Sequence, residues 1–293
     1  MEIFCPNVWF ADNGQRFGTY RGHNDVVWTC DVSRDSTRLM TGSADQTAKL
    51  WDVKSGTQLF SFDFKAPARA VEFAFGDKLA VITTDPFMGE TSAIHVKRIA
   101  GDLAEPKTLK IHNIFNFAET PESVIVIKGT QGRITRATFE PLNFGPLNKT
   151  IVSVGEDATV RVSGIPRSTG KLIKESDEET GQKQSITSLF KSMDGSHFIT
   201  GSLDKSAKLW DIRTLTVLKT YVTAAPVNAV TMSPLLNHVV LGDGQDARIV
   251  TTTDRRAGMF EAKFYDKILE QKIGEDGYVR LHHFDQDYFN IKI

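Results

Sequence analysis

The chain has only two cysteines, Cys5 and Cys30. Two thiols cannot build a disulfide framework or a four-ligand zinc site, so a reducing, cytoplasmic setting is expected. Charge of one sign is scarce as well: 35 Lys and Arg are interspersed with 36 Asp and Glu, for a formal charge of −1. Proteins that grip nucleic acid through its phosphates carry a basic field, so direct sequence-specific nucleic-acid binding is not expected. No apolar run approaches membrane-spanning length, and the N-terminal residues lack a basic, apolar, small-residue leader pattern. No membrane role is expected. Sustained helical periodicity is also missing, which leaves an all-β class. Against these absences stand 293 residues, 40% of them hydrophobic, enough for a full core.

What the chain does have is repetition. "GSADQTAKLWD" (Gly42 to Asp52) and "GSLDKSAKLWD" (Gly201 to Asp211) agree at eight of eleven positions. The match extends backwards without a gap, from "GHNDVVWTCDVSRDSTRLMT" at Gly22 to "GQKQSITSLFKSMDGSHFIT" at Gly181. Short alternating segments are broken by turn signals such as "RDS", "MDG" and "SAD". Looser copies occur at Ala66 to Asp85, Gly132 to Val162, Ala225 to Gly244 and Gly274 to Asp285. The Gly-His start, the Trp-Asp end and a spacing near 40 residues resemble the WD40 repeat, which implies a β-propeller of stacked four-stranded blades.

The expected architecture is a single seven-bladed WD40 β-propeller whose first and last blades are incomplete. The blades fall at residues 1–20 (partial), 21–63, 64–110, 124–173, 181–222, 223–268 and 269–293 (partial). "PNVWFADNGQRFGTY" (Pro6 to Tyr20) reads as the last two strands of a blade, and about 30 residues are expected to be missing at the Ile273–Gly274 junction. In the WD40 pattern His23, Ser43, Asp45 and Trp51 form a buried hydrogen-bonded set. The imidazole lies between Asp45 and Ser43, and Ser43 takes the indole N–H. Ser202, Asp204 and Trp210 repeat that set with Gln182 in place of the histidine. Ser163 stands where Asp157 calls for a tryptophan, and His282 stands in the same relation to Asp276. This set is structural, because a buried polar group left alone costs about 1–3 kcal/mol.

Several motifs invite a chemical reading. "VVLGDGQDA" (Val239 to Ala247) has the Gly-x-Gly-x-x-Ala spacing of a dinucleotide loop, but the β-branched "RIVTTTDRR" that follows suits a tight turn between strands better than a helix. His282 and His283 alternate across a strand, and His95 and His112 lack metal partners at ligand spacing. "ESDEET" (Glu175 to Thr180) reads as a solvated loop, "NKT" at Asn148 as a sequon without meaning in the cytosol, and "HHFDQDYFNIKI" as a docking strand. No catalytic constellation, metal site or cofactor motif emerges, so the chain is not expected to be an enzyme.

A narrower resemblance covers nearly the whole chain. "VVLGDGQDARIVTTTDRRAGMFEAKFYDKI" (Val239 to Ile268), "NVWFADNGQRFGTYRGH" (Asn7 to His23), "LTVLKTYVTAAPVNAV" (Leu215 to Val230) and "GEDGYVRLHHFDQDYF" (Gly274 to Phe289) resemble subunit i of eukaryotic translation initiation factor 3. Asp243 departs from a Gly-Gly-Gly-Gln run, Met259 replaces a usual Lys, and "PLNFGPLN" (Pro141 to Asn148) resembles a local duplication. The resemblance implies a non-catalytic scaffold that binds subunits b and g of that factor. It further implies support for preinitiation complex assembly on the small ribosomal subunit, mRNA recruitment and scanning. Asp194, Leu209 and Asp211 match positions that contact a C-terminal helix of subunit b. Carboxylates would steer basic residues of such a helix and apolar contacts would anchor it. A WD40 signalling adaptor or ubiquitin-ligase substrate receptor is the alternative, since it would use the same faces.

Overall fold

The computed structural model describes residues 5–10, 12–99, 125–128, 132–139, 150–164, 172–234, 237–245, 261–267 and 272–276. Every regular element among them is a strand. β1 (Asn7–Trp9) and β2 (Arg16–Thr19) form a two-stranded first sheet. Five four-stranded antiparallel meanders follow. The second sheet holds β3 (Val27–Val32), β4 (Arg38–Ser43), β5 (Thr47–Asp52) and β6 (Gln58–Asp63). The third holds β7 (Ala68–Phe73), β8 (Leu79–Thr84), β9 (Ala93–Arg98) and β10 (Ile125–Lys128). The fourth holds β11 (Ile134–Phe139), β12 (Thr150–Gly155), β13 (Val160–Gly164) and β14 (Leu172–Glu175). The fifth holds β15 (Ile186–Lys191), β16 (His197–Ser202), β17 (Ser206–Asp211) and β18 (Val217–Val222). The sixth holds β19 (Val227–Met232), β20 (His238–Asp243), β21 (Glu261–Asp266) and β22 (Lys272–Asp276).

These sheets are blades of a β-propeller, and the placement of the core shows it. Each apolar cluster spans two consecutive sheets. Met40, Leu50 and Phe62 pack on Val71, Phe73 and Ile82. Ile94 and Val96 pack on Ile134 and Phe139. Val152 and Val162 meet Ile186 and Trp210, and Ile199 and Leu209 meet Val227 and Leu241. Tyr20 of the first sheet packs on Leu39 and Trp51 of the second. The second to fifth sheets are thus covered on both faces, and each fully buried Leu, Ile or Phe contributes about 1.5–3 kcal/mol. The leading strands β3, β7, β11, β15 and β19 meet in that succession. Side chains sew them together: Phe73 N donates to Asp31 Oδ2 at 2.7 Å, and Thr135 Oγ1 to the Ile186 carbonyl at 2.6 Å.

Local turn chemistry repeats as well. Gln46, Ala158 and Lys205 adopt left-handed backbone, φ 68°, 62° and 65°, at the β4–β5, β12–β13 and β16–β17 turns. That conformation costs a non-glycine residue about 1 kcal/mol. The preceding aspartates hold it by accepting from the next amide: Asp45 from Thr47 N, Asp157 from Thr159 N and Asp204 from Ser206 N.

Three expected blade limits move. The third sheet ends on Ile125–Lys128, beyond residue 110, and the fourth on Leu172–Glu175, beyond residue 173. Lys272–Asp276 was expected in the last partial blade, but it pairs with β21 and completes the sixth sheet. Even repeat spacing misplaces the third and sixth limits because 26 residues separate β9 from β10 and 17 separate β20 from β21. Residues 277–293, with His282, His283 and the aromatic C-terminal stretch, lie outside the described residues, as do His112, Asn148, Met259 and Pro141 to Asn148. No helix among the described residues is long and apolar enough to cross a membrane.

Candidate partner-binding face

Asp194 and Asp211 lie at the same end of the fifth sheet. Asp194 sits in the turn before β16, and Asp211 closes β17 directly opposite His197, the first residue of β16. Each carboxylate has a local task. Asp194 accepts from Ser192 Oγ at 2.5 Å, Ser196 N at 3.1 Å and Ser196 Oγ at 2.8 Å. Burial works to raise this carboxyl, but those bonds outweigh it and hold the group at about 2. Asp211 Oδ1 accepts from Thr214 N at 2.7 Å, Arg213 N at 2.9 Å and Thr214 Oγ1 at 2.9 Å, which keeps it below the usual carboxylate range. Both are therefore anions at neutral pH. The Asp194 side chain is 62% exposed, so it remains accessible to a partner despite its local bonds.

The second sheet supplies an internal comparison. Asp35 accepts from Ser33 Oγ and Thr37 N as Asp194 does from Ser192 and Ser196, and Asp52 accepts from Ser55 N as Asp211 does from Thr214. The two sheets differ at the residue between the carboxylates. Arg38 stands opposite Asp52, and its positive charge helps hold Asp35 down. His197 stands opposite Asp211, and burial, reinforced by the charge of Lys267, lowers its pKa against the pull of both aspartates. The fifth sheet thus replaces a permanent cation with a mostly neutral imidazole. Lys267 supplies the nearby cation there instead. Met193, 77% exposed beside Asp194, adds an adaptable apolar contact that the sequence reading did not single out.

Leu209 takes a different place from the one expected. It is 5% exposed and packs with Ile199, Val227 and Leu241 between the fifth and sixth sheets. A side chain held there supports the face from below and cannot itself touch a docked helix. The reason is geometric: a blade strand is covered on both faces, so alternation along β17 leaves no outward apolar row.

The hydrogen-bonded sets need one correction. Thr41, and not Ser43, takes the indole. Trp51 Nε1 donates to Thr41 Oγ1 at 2.9 Å, and Thr41 Oγ1 lies 2.7 Å from His23 Nε2. His23 Nδ1 is 2.8 Å from Asp45 Oδ2, so the chain runs Trp51, Thr41, His23, Asp45. Ser43 closes the turn instead, donating to the Asp25 carbonyl and accepting from Asp45 N. In the fifth sheet Trp210 Nε1 donates to Thr200 Oγ1 at 2.8 Å, while Ser202 donates to the Gln184 carbonyl and accepts from Asp204 N. Gln182 donates to the Thr200 carbonyl at 3.3 Å and does not bridge to Asp204 as a histidine would. The signal was present in both copies: "MTGS" and "ITGS" place a threonine ten residues before each tryptophan.

The Gly-x-Gly segment is also accounted for. β20 pairs with β21 antiparallel, whereas a dinucleotide fold needs a parallel crossover. The connection is longer than the tight turn expected, running from residue 244 to 260. Asp243 is buried against Lys263 Nζ at 2.5 Å, and Glu261 approaches the same ammonium at 3.0 Å. Among the described residues, no group of three or more His, Cys, Asp or Glu side chains is placed to hold a metal ion.

Stacked four-stranded blades with a buried Trp–Thr–His–Asp chain define a WD40-type β-propeller. Comparison with known proteins narrows the class. A family model described as EIF3I matches residues 4–275. The chain is 35% identical over 311 residues to "Eukaryotic translation initiation factor 3 subunit I" of Schizosaccharomyces pombe, covering 98% of this chain and 89% of that one. The protein of the same name from Drosophila melanogaster is 35% identical over 309 residues, covering 97% and 88%. The chain belongs to the family of eukaryotic translation initiation factor 3 subunit I, a family of translation initiation factors.

Proposed function

We propose that this chain is a non-catalytic, cytoplasmic scaffold subunit of eukaryotic translation initiation factor 3 that binds subunits b and g. In that role it supports preinitiation complex assembly on the small ribosomal subunit, mRNA recruitment and scanning. The family match along almost the entire chain carries the reading. The fifth-sheet face is consistent with it. Asp194 and Asp211 offer negative charge, His197 stands between them where the second sheet keeps Arg38, and Met193 lies beside them. A helix with basic residues flanking an apolar stripe has the matching chemistry. Carboxylates of this kind act mainly on association rate and orientation, and apolar contact sets residence time.

The test is affinity purification of the tagged chain from its own cells, followed by identification of stoichiometric partners. Recovery of subunits b and g with the rest of the factor is the expected result. Recovery of a cullin or kinase assembly without them would overturn the proposal.

A further inference from the structure

The register of the sheets identifies which residue occupies the tryptophan position in each. In the second sheet Val32 faces Leu39, and Leu39 faces Trp51. In the fifth, Lys191 faces Phe198, and Phe198 faces Trp210. The same path in the third sheet runs from Phe73 to Ala80 and ends on Lys97. Where two other sheets press an indole against the preceding blade, the third presents an ammonium group. Two neighbouring places have changed with it, one of them in the polar set. Ile82 stands where Thr41 stands, and His95 stands where Lys49 stands.

Lys97 lines an open cleft of about 520 Å³ between the end of the second sheet and strands β8 to β10. Lys65, Lys97 and Lys128 line it with His95, against two acids, Asp63 and Glu90. Glu90 is already engaged by Lys128 at 3.2 Å. Lys97 is 6% exposed, with Nζ 5.4 Å from the centre of the Phe64 ring. His95 packs on the same ring at 4.9 Å and lies 3.3 Å from Thr84 Oγ1. Burial first, then the charges of Lys97 and Lys128, push His95 down to about 4. Burial also lowers Lys97. A bound anion would reverse both effects.

We propose that this cleft binds a phosphate monoester, with Lys97 as the buried cation, Lys128 and Lys65 at the rim, and Thr84 and Thr91 as hydroxyl donors. Lysines serve phosphate as point charges, and a dianion with three acceptor oxygens matches several donors better than a single carboxylate does. The cleft is separate from the fifth-sheet face and does not depend on the partners proposed above.

The experiment is calorimetric titration of the whole chain with inorganic phosphate and with a phosphoserine peptide, followed by NMR of the His95 ring. Saturable binding is expected, with the His95 titration moving upward when phosphate is present. Lys97→Met should weaken binding about tenfold or more. Lys128→Gln, a rim change that leaves the core intact, should weaken it less. Lys97→Trp should abolish binding by restoring the indole, with folding followed by circular dichroism. Tighter binding of the peptide would identify a phosphorylated partner, and equal binding would identify a free phosphate ligand; either upholds the proposal. No saturation by about 10 mM of either probe, or binding unchanged in folded Lys97→Met and Lys128→Gln, would overturn it.

Discussion

Thr41 receives the indole N–H of Trp51 at 2.9 Å, and the same hydroxyl lies 2.7 Å from His23 Nε2. One oxygen therefore completes two buried partners. With His23 Nδ1 donating to Asp45, Nε2 accepts the threonine O–H, and every member of the chain has its proton placed. Thr41→Val keeps the shape but leaves the indole and the imidazole unmatched, at a cost of about 1–3 kcal/mol for each group orphaned. Thr200→Val orphans the indole of Trp210 but no histidine, because Gln182 reaches the Thr200 carbonyl instead. The expected order of thermal midpoints is wild type, then Thr200→Val, then Thr41→Val. Equal losses would show that the histidine arm contributes nothing.

A second expectation concerns pH. Asp31 accepts from Phe73 N between β3 and β7, yet burial first, and then the nearby Glu72, raise its carboxyl to about 6. A carboxyl whose folded pKa lies above its unfolded value near 4 binds its proton more tightly in the folded chain. Its contribution is most favourable below about pH 4 and is lost as pH rises through about 6. Asp31→Asn keeps an acceptor for Phe73 N without the charge. It should raise the thermal midpoint at pH 7.5 and change it little at pH 4.5. An equal shift at both pH values would contradict this origin.

Close approach makes a third test. A Cβ on Gly201 would sit 2.7 Å from Val227 Cγ1 and 2.9 Å from Val230 Cγ1, on the sixth sheet. Gly201→Ala should therefore cost about 1–3 kcal/mol through overpacking. Gly42→Ala, whose nearest contacts are 3.0–3.1 Å and include the Ala68 carbonyl, should also destabilise. Chemical denaturation of both variants checks the point. A stabilised Gly201→Ala would mean that the two sheets can separate without penalty.

Much of this architecture was legible. The two strong repeats led directly to the second and fifth sheets, because alternation, turn aspartates and Trp-Asp ends all agree there. Tyr20 and its two strands were legible from their likeness to the last two strands of a blade. The outer strands of the third and sixth sheets were not, since a long connection precedes β10 in one and β21 in the other, and an edge strand carries little pattern of its own. Leu209 was misjudged because alternation distinguishes an inside from an outside only where one face meets water. Thr41 was missed because a serine stands two residues on at the turn, where its hydroxyl serves the backbone. Lys97 escaped notice because only strand register, which the sequence does not display, aligns it with Trp51 and Trp210.

The most direct test of the scaffold account is calorimetric titration of the chain with the C-terminal segment of its own subunit b, repeated with Asp194→Lys and Asp211→Lys. Saturable binding that weakens about tenfold or more in each charge reversal, and weakens with added salt, is the expected result. The circular dichroism of the variants should stay unchanged. Wild-type affinity in both folded variants, or no binding by the folded wild-type chain, would contradict the account.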